Sequence, residues 1–330
     1  MRILLIMPKF FDYHIIIKNE LTQMGYEVDF FDDRPSTNAF VKAVIRLNKK
    51  MVNGYIKRYF NKIMKSVQSK KYDFVFLISG QSLSLSKEMI EKIKKSQKNA
   101  IFLLYQWDSL KNFGYIRDMY PLFDKCYSFD RDDVKNNANL NFLPLFYSNN
   151  YRKIGDRKSI DYQYDFCFIG TAHPKKYVYI NKISRQLKAV YPNQFIYFYF
   201  QSPIVFFYRK LVNREMRKAR YNEFNYSPLK GKAFFDIYRK SRCVIDSAQD
   251  GQVGLTIRVI EALGAKKKII TTNCDVINYD FYKPENIYVY KGNIDYNDVF
   301  FRSEYKEIEK NVYDKYHIRH WLKTILEDVS

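Results

Sequence analysis

Cysteine is scarce and scattered: Cys126, Cys167, Cys243 and Cys274 are the only four in 330 residues, and no CxxC pair occurs. That excludes a disulfide framework or a cysteine-based zinc site as the organiser of the fold. Three of the four sit in or beside apolar runs (KCYSF, FCFIG, RCVID), where a thiol behaves as a small core residue. This usage fits a reducing compartment. Long apolar runs are missing too. None approaches the roughly 18–20 residues that span a bilayer, and the longest, 195–207, is broken by Gln201, Ser202 and Pro203. The opening MRILLIMPKF is too short for a signal-peptide core, and no small-residue cleavage site follows it. Acid is in short supply, with 35 Asp and Glu against 56 Lys and Arg and a net charge of +21. An excess of that size points to anionic partners: nucleic acid, an acidic membrane surface or phosphorylated ligands.

What the chain does have is apolar material, 47% of it hydrophobic and 18% aromatic, enough for two domains of ordinary size. Residues 3–7 form a continuous apolar run, the mark of a strand buried on both faces of a parallel sheet. A helical pattern over 15–24, stopped by Gly25, and the strand GYEVDFFD complete a βαβ unit. A long basic helix is expected over 40–67. Strands follow at 73–78 and 100–105 around a helix at 86–96, then the loop QWDSLKN and short strands at 123–129 and 141–146. The polar stretch 151–163 reads as a boundary, after which the alternation restarts. DFCFIG, FIYFYF, CVIDS, KKIITT and IYVY are expected strands. Helices are expected over 176–190, a basic stretch at 204–221, GKAFFDIYRKS, TIRVIEALGA ended by Gly264, and a tail helix over 311–329. The expected division is a first α/β domain over 1–155, a second over 156–311, and a C-terminal helix at 312–330 packing back on the first. No GxGxxG follows either opening strand, which speaks against a dinucleotide-dependent enzyme.

The densest chemistry lies in GQVGLTIRVIEALGAKKKIITTN, 251–273. A glycine-bearing loop runs into a helix. Gly251 and Gly254 let the backbone approach a ligand closely. The free N–H groups where the helix starts, near Thr256, favour an anion such as a diphosphate. Arg258 offers a forked contact to phosphate. Glu261 lies one turn along on the same face, where a carboxylate accepts from two ribose hydroxyls. An ordinary surface Arg–Glu pair is the plain alternative. A glycine loop followed by RxxEAxG resembles the donor-binding segment of GT-B glycosyltransferases, most closely the branch of spore-maturation-protein-like and capsular or lipopolysaccharide transferases. The resemblance implies a fold of two Rossmann-like domains whose parallel sheets face each other across a cleft. It places Glu261 on the donor ribose and implies a UDP-, GDP- or dTDP-sugar as donor substrate, with no cofactor and no catalytic metal.

Three further segments carry candidate residues. In YDFCFIGTAHPKKY, Asp165, Phe168 and Gly170 match the strand that opens the second domain in those families. The loop beyond it brings His173, Lys175 and Lys176 toward the donor phosphates. Lysines stand where the family often has arginine, and they serve as point charges; a solvated turn is the plain alternative. In LLYQWDSLKN, Asp108 ends a strand where cleft residues lie, and Trp107 is read as core rather than as a sugar-stacking ring. The later DRDD, with Asp130, Asp132 and Asp133, is read as a capped helix start, not as a metal site. In the first loop, PKFFDYH, Asp12 and His14 are candidates for the base that takes the acceptor's proton; His14 packing at the helix start is the alternative. His317 and His320 are read as surface residues of the tail helix.

The expected activity is therefore transfer of a sugar to a glycan or lipid-linked glycan in surface polysaccharide biosynthesis. The expected location is cytoplasmic, peripheral on the inner face of the plasma membrane through the basic helices 40–67 and 204–221. No nucleic-acid partner is expected on this reading. The competing reading is a non-catalytic nucleotide- or nucleic-acid-binding protein that uses the basic surface.

Overall fold

A computed structural model of the chain describes residues 1–35, 53–80, 83–157, 161–248 and 253–327. Two compact units emerge, Met1–Pro144 with Ile318–Ser330, and Leu145–His317.

The first unit holds β1 (Arg2–Ile6), β2 (Glu27–Phe31), β3 (Phe74–Ser79), β4 (Ile101–Gln106), β5 (Lys125–Ser128) and β6 (Leu140–Phe142). They form one sheet in the order β2-β1-β3-β4-β5-β6, every pair parallel. Helices cover a parallel sheet on both faces, so its central strands are apolar throughout; FVFLIS of β3 is buried at every position. The helix Tyr13–Gln23 stops at Met24, and Gly25 turns the chain with φ +92°. Of the basic helix expected over 40–67, residues 40–52 lie outside the described residues. The rest belongs to the helix Asn53–Ser69, which buries Ile56, Phe60, Ile63 and Val67. Gln106 closes β4 rather than opening the loop. Asp130 caps the helix Arg131–Lys135 by accepting from the Asp132 N–H at 3.0 Å.

The tail differs from the single expected helix. It forms Lys310–Lys315 and Ile318–Glu327, separated where Tyr147 pairs with the chain. The Tyr147 N–H donates to the Tyr316 carbonyl at 2.9 Å, and Tyr147 bridges to His317. His317 thus sits in the break, buried, with Nε2 2.8 Å from Asn149 Oδ1, and is not a surface residue of a helix. The segment Ile318–Glu327 packs on the first unit. Trp321 is buried between Tyr105 and Phe76, at ring separations of 4.7 and 6.1 Å, and Arg319 pairs with the buried Glu20 at 2.6 Å.

The second unit holds β7 (Tyr164–Thr171), β8 (Gln194–Tyr199), β9 (Phe224–Asn225), β10 (Ser241–Ile245), β11 (Lys268–Thr271) and β12 (Ile287–Val289). Its parallel sheet runs β12-β11-β10-β7-β8-β9, the Rossmann strand order, with the reversal between β7 and β10. In the first unit the reversal falls between β1 and β3. The stretch expected to be helical over 204–221 is a helix only at Pro203–Val212. Asn213 ends it, and short 3₁₀ turns follow at Arg214–Met216 and Tyr221–Glu223. The helix Ile257–Gly264 is nearly all buried. Gly264 does not end it by a left-handed turn; that conformation falls to Lys266, φ 50°. Glycine is required at 264 because a Cβ there would run into the ring of Tyr147, while the Tyr313 hydroxyl donates to the Gly264 carbonyl at 2.6 Å.

No helix among the described residues is long and apolar enough to cross a membrane.

Candidate functional site

In an open parallel sheet, ligands gather outside the carboxyl ends of the strands where the strand order reverses. In the second unit that point is the end of β7, at Gly170, and the residue just past β10, Asp246. Asp246 is fully buried, its N–H tied to the Ile270 carbonyl at 2.7 Å. Its carboxylate accepts from Arg258 Nη1 at 2.8 Å and from the Thr271 hydroxyl at 3.3 Å. Arg258 Nη2 donates to the Ile169 carbonyl at 3.1 Å, and the guanidinium lies 5.1 Å over the Phe168 ring. Gly170 makes room for this: a Cβ there would stand 2.8 Å from Arg258 Nη2 and 3.0 Å from Phe168 Cζ. Burial opposes the arginine's charge, but Asp246, with Glu261 and Tyr238 behind it, outweighs burial, and the Arg258 pKa is raised.

Lys176 lies in the first turn of the helix Pro174–Leu187. Its pKa is pushed down to about 8, by burial first and then by Arg258, with Asp246 pulling the other way. Arg258 and Lys176 thus lie near enough for each to oppose the other's charge, and an anion bound beside Lys176 would favour its charged form. The glycine loop is pinned nearby. Asn273 Nδ2 donates to the carbonyls of Val253 and Gly254 at 3.0 and 3.3 Å, and the Asn273 N–H donates to Thr271 Oγ1 at 3.1 Å. Gly251 lies outside the described residues. Thr256 occupies the N-cap position of the helix Ile257–Gly264 without a side-chain cap bond, and its hydroxyl is buried with no hydrogen-bond partner among the described residues. Glu261 is buried and close enough to Arg258 to raise its pKa, so the two are not the surface pair of the plain alternative. His173 and Lys175 are exposed at the start of the neighbouring helix. The His173 pKa is lowered by partial burial and then by Arg209.

The sequence-predicted residues Gly170, Lys176 and Arg258 are thus brought together, and Asp246 is the member that sequence reasoning missed. Its only signal was the polar end of CVIDS, an acid closing an apolar strand.

The first unit has its own group at strand ends. Asp12 stands exposed at the N-cap position of Tyr13–Gln23 and makes no side-chain cap bond; its carbonyl accepts from Ile15 and Ile16. His14 is half-buried, its ring 5.3 Å from that of Phe30. Burial and then Lys9 lower its pKa. Asp108 leans on β3's end: a Cβ on Gly80 would lie 2.6 Å from Asp108 Oδ2. Trp107 is half-buried beside Tyr13 and Tyr105, at 5.5 and 6.2 Å, rather than wholly in the core. Sequence reasoning also missed a buried charged trio past β2. Arg34 Nε lies 3.3 Å from Asp32 Oδ1 and 3.1 Å from Asp33 Oδ1. The phrase FFDDR was its signal. Among the described residues no three His, Cys, Asp or Glu side chains are grouped to hold a metal ion.

No family model matches the chain, and no curated protein matches it. Solved structures do. Anabaena HepE in complex with UDP-glucose is similar with a TM-score of 0.60 at 8% identity, covering 100% of this chain and 99% of that one. HepE in complex with UDP and glucose gives 0.57 at 10% identity, with 100% and 99% covered. At such identities the likeness establishes the fold: two Rossmann-like α/β units of the GT-B class.

Proposed function

We propose that the chain is a glycosyltransferase whose second unit binds a nucleoside-diphosphate sugar at the carboxyl ends of β7 and β10. The observation that carries this reading is Arg258, paired with the buried carboxylate of Asp246 where the strand order reverses, with a second cation, Lys176, near enough to feel both charges. A diphosphate would favour the charged form of Lys176, which burial and Arg258 oppose. Arg258 and Lys176 stabilise the negative charge that develops on the leaving diphosphate as the glycosidic bond to it breaks. The helix start at Thr256, with its unpartnered hydroxyl, and the glycine loop at Gly254 add donors or close backbone approach to the same phosphates. Glu261 takes the ribose hydroxyls, and His173 and Lys175 flank the phosphates.

That HepE holds UDP-glucose on the same fold favours a UDP-sugar over its GDP and dTDP counterparts. The acceptor is a hydroxyl of a glycan or lipid-linked glycan in surface polysaccharide synthesis, worked on beside a membrane. His14 is the first candidate for the base that takes the hydroxyl's proton, since its lowered pKa keeps the imidazole neutral near pH 7. Asp12 and Asp108 are the alternatives.

Thermal unfolding with a panel of UDP-, GDP- and dTDP-sugars tests the donor. A donor at about 100 times its Kd stabilises by about 2.7 kcal/mol, a readily measured rise in melting temperature. No shift with any of the panel would remove the proposal.

A further inference from the structure

The helix Pro203–Val212 wears its apolar stripe on the outside. It is firmly built: Ser202 Oγ caps it by accepting from the Val205 N–H at 3.3 Å, and Pro203 stands in its first turn. Its inner side is anchored by the buried Phe206, whose ring lies 5.1 Å from Phe224 and 5.9 Å from Phe200. Lys210 Nζ donates to the Ala219 carbonyl at 2.8 Å and ties the helix to the turn that follows. On the outer side Ile204 is 80% exposed, Phe207 59%, Tyr208 60% and Leu211 79%. These four fall at i, i+3, i+4 and i+7, a single helical stripe. Phe207 also stacks on the exposed Tyr221 at 6.0 Å, so the apolar surface runs beyond the helix. Arg214, Arg217, Lys218 and Arg220 stand exposed in the turns beyond Val212, and Glu215 is the only acid between 203 and 222.

Exposed stripes of this kind mark interaction surfaces. Cations beside the stripe choose among partners. A nucleic acid would engage the arginines through its phosphates but has no use for Ile204 and Leu211. A second copy of the chain, meeting this one face to face about a two-fold axis, would set the two basic turns against each other. An anionic bilayer satisfies both halves: the stripe enters the boundary between headgroups and acyl chains, and the cations meet lipid phosphates.

We propose that Pro203–Val212 and the basic turns after it dock the chain on an anionic lipid surface, with Ile204, Phe207, Tyr208 and Leu211 inserted. The proposal extends the reading of a membrane-side acceptor and does not rest on the donor site.

The test is co-sedimentation of the full chain with vesicles of phosphatidylcholine alone and of phosphatidylcholine with a third phosphatidylglycerol. The same samples are scanned for thermal stabilisation by UDP-glucose. Wild type should bind the anionic vesicles about tenfold more strongly than the neutral ones. Ile204→Asn with Leu211→Asn, and separately Arg217→Glu with Lys218→Glu, should each lower that binding about tenfold or more. All of these residues are exposed, so both variants should keep the wild-type melting temperature and its response to UDP-glucose. Loss of that response in wild type would count against the donor site and leave this proposal standing. Absent vesicle binding, or vesicle binding equal in wild type and both variants, would overturn it. So would a dimer in sedimentation that Ile204→Asn with Leu211→Asn dissociates, which would make the stripe a self-interface. Tight duplex DNA binding that the Asn variant leaves intact and the Glu variant abolishes, with no preference for anionic vesicles, would reassign the cations to nucleic acid.

Discussion

The Arg258–Asp246 pair permits a quantitative test of how the candidate donor site is held. Asp246 is fully buried and Arg258 is 18% exposed at the side chain, with 2.8 Å between them. Replacing Arg258 with Met leaves a buried carboxylate with the Thr271 hydroxyl but without its hydrogen-bonded charge partner. Breaking a buried pair from one side costs about 3–5 kcal/mol. Replacing Asp246 with Asn keeps an oxygen for the guanidinium, which reaches some solvent and still donates to the Ile169 carbonyl. That loss should be smaller, about 1–3 kcal/mol. With both changed, no charge is stranded, so the double variant should be well short of the sum. The interaction energy from the cycle should be about 2–3 kcal/mol. Urea unfolding of the four proteins at neutral pH measures it, with equal slopes required for the comparison. If the two losses add to within about 0.5 kcal/mol, the groups are not coupled and the account of the cluster is wrong.

Two other substitutions probe separate parts of the structure. Gly170→Ala should destabilise by about 1–3 kcal/mol through overpacking, because its Cβ meets Arg258 Nη2 and Phe168. The displaced guanidinium should also weaken UDP-glucose binding, read in the same thermal-shift assay. Trp321→Ala should cost about 3–5 kcal/mol, since the indole is buried between Phe76 and Tyr105 in the first unit. In urea unfolding, a loss below about 1 kcal/mol would show that the tail helix is not part of that unit's core.

Much of the fold was legible because buried parallel strands announce themselves as apolar runs. ILLI, FVFLIS, FLLY and FCFI are strands because both faces are covered. The order of the strands was not legible, since β7 lies between β8 and β10 through contacts distant in sequence. Local periodicity also overran two breaks. The helical spacing of the tail runs through His317, yet pairing with Tyr147 interrupts the helix there. The basic period over 204–221 runs through Asn213, where the backbone leaves the helix at ψ 123°. At the candidate site, the residues on one local segment, Thr256, Arg258 and Glu261, could be found by spacing. Asp246 could not, because its importance comes from burial and from a partner on another element. The same holds for the Asp32–Asp33–Arg34 trio, whose burial is a product of the fold rather than of local spacing.

Calorimetric titration of UDP-glucose at about pH 7 and about pH 9 bears most directly on the claim that Lys176 and Arg258 take the diphosphate. Lys176, lowered to about 8, is charged at the lower pH and only about one-tenth charged at the higher. An anion needs the charged form, so affinity should fall as pH rises through that value. The account predicts saturable binding about tenfold weaker at the higher pH in wild type, and weak binding without that pH dependence in Lys176→Met. Binding of the wild type that is absent at millimolar ligand, or a Lys176→Met protein that binds as tightly as wild type at both pH values, would contradict it.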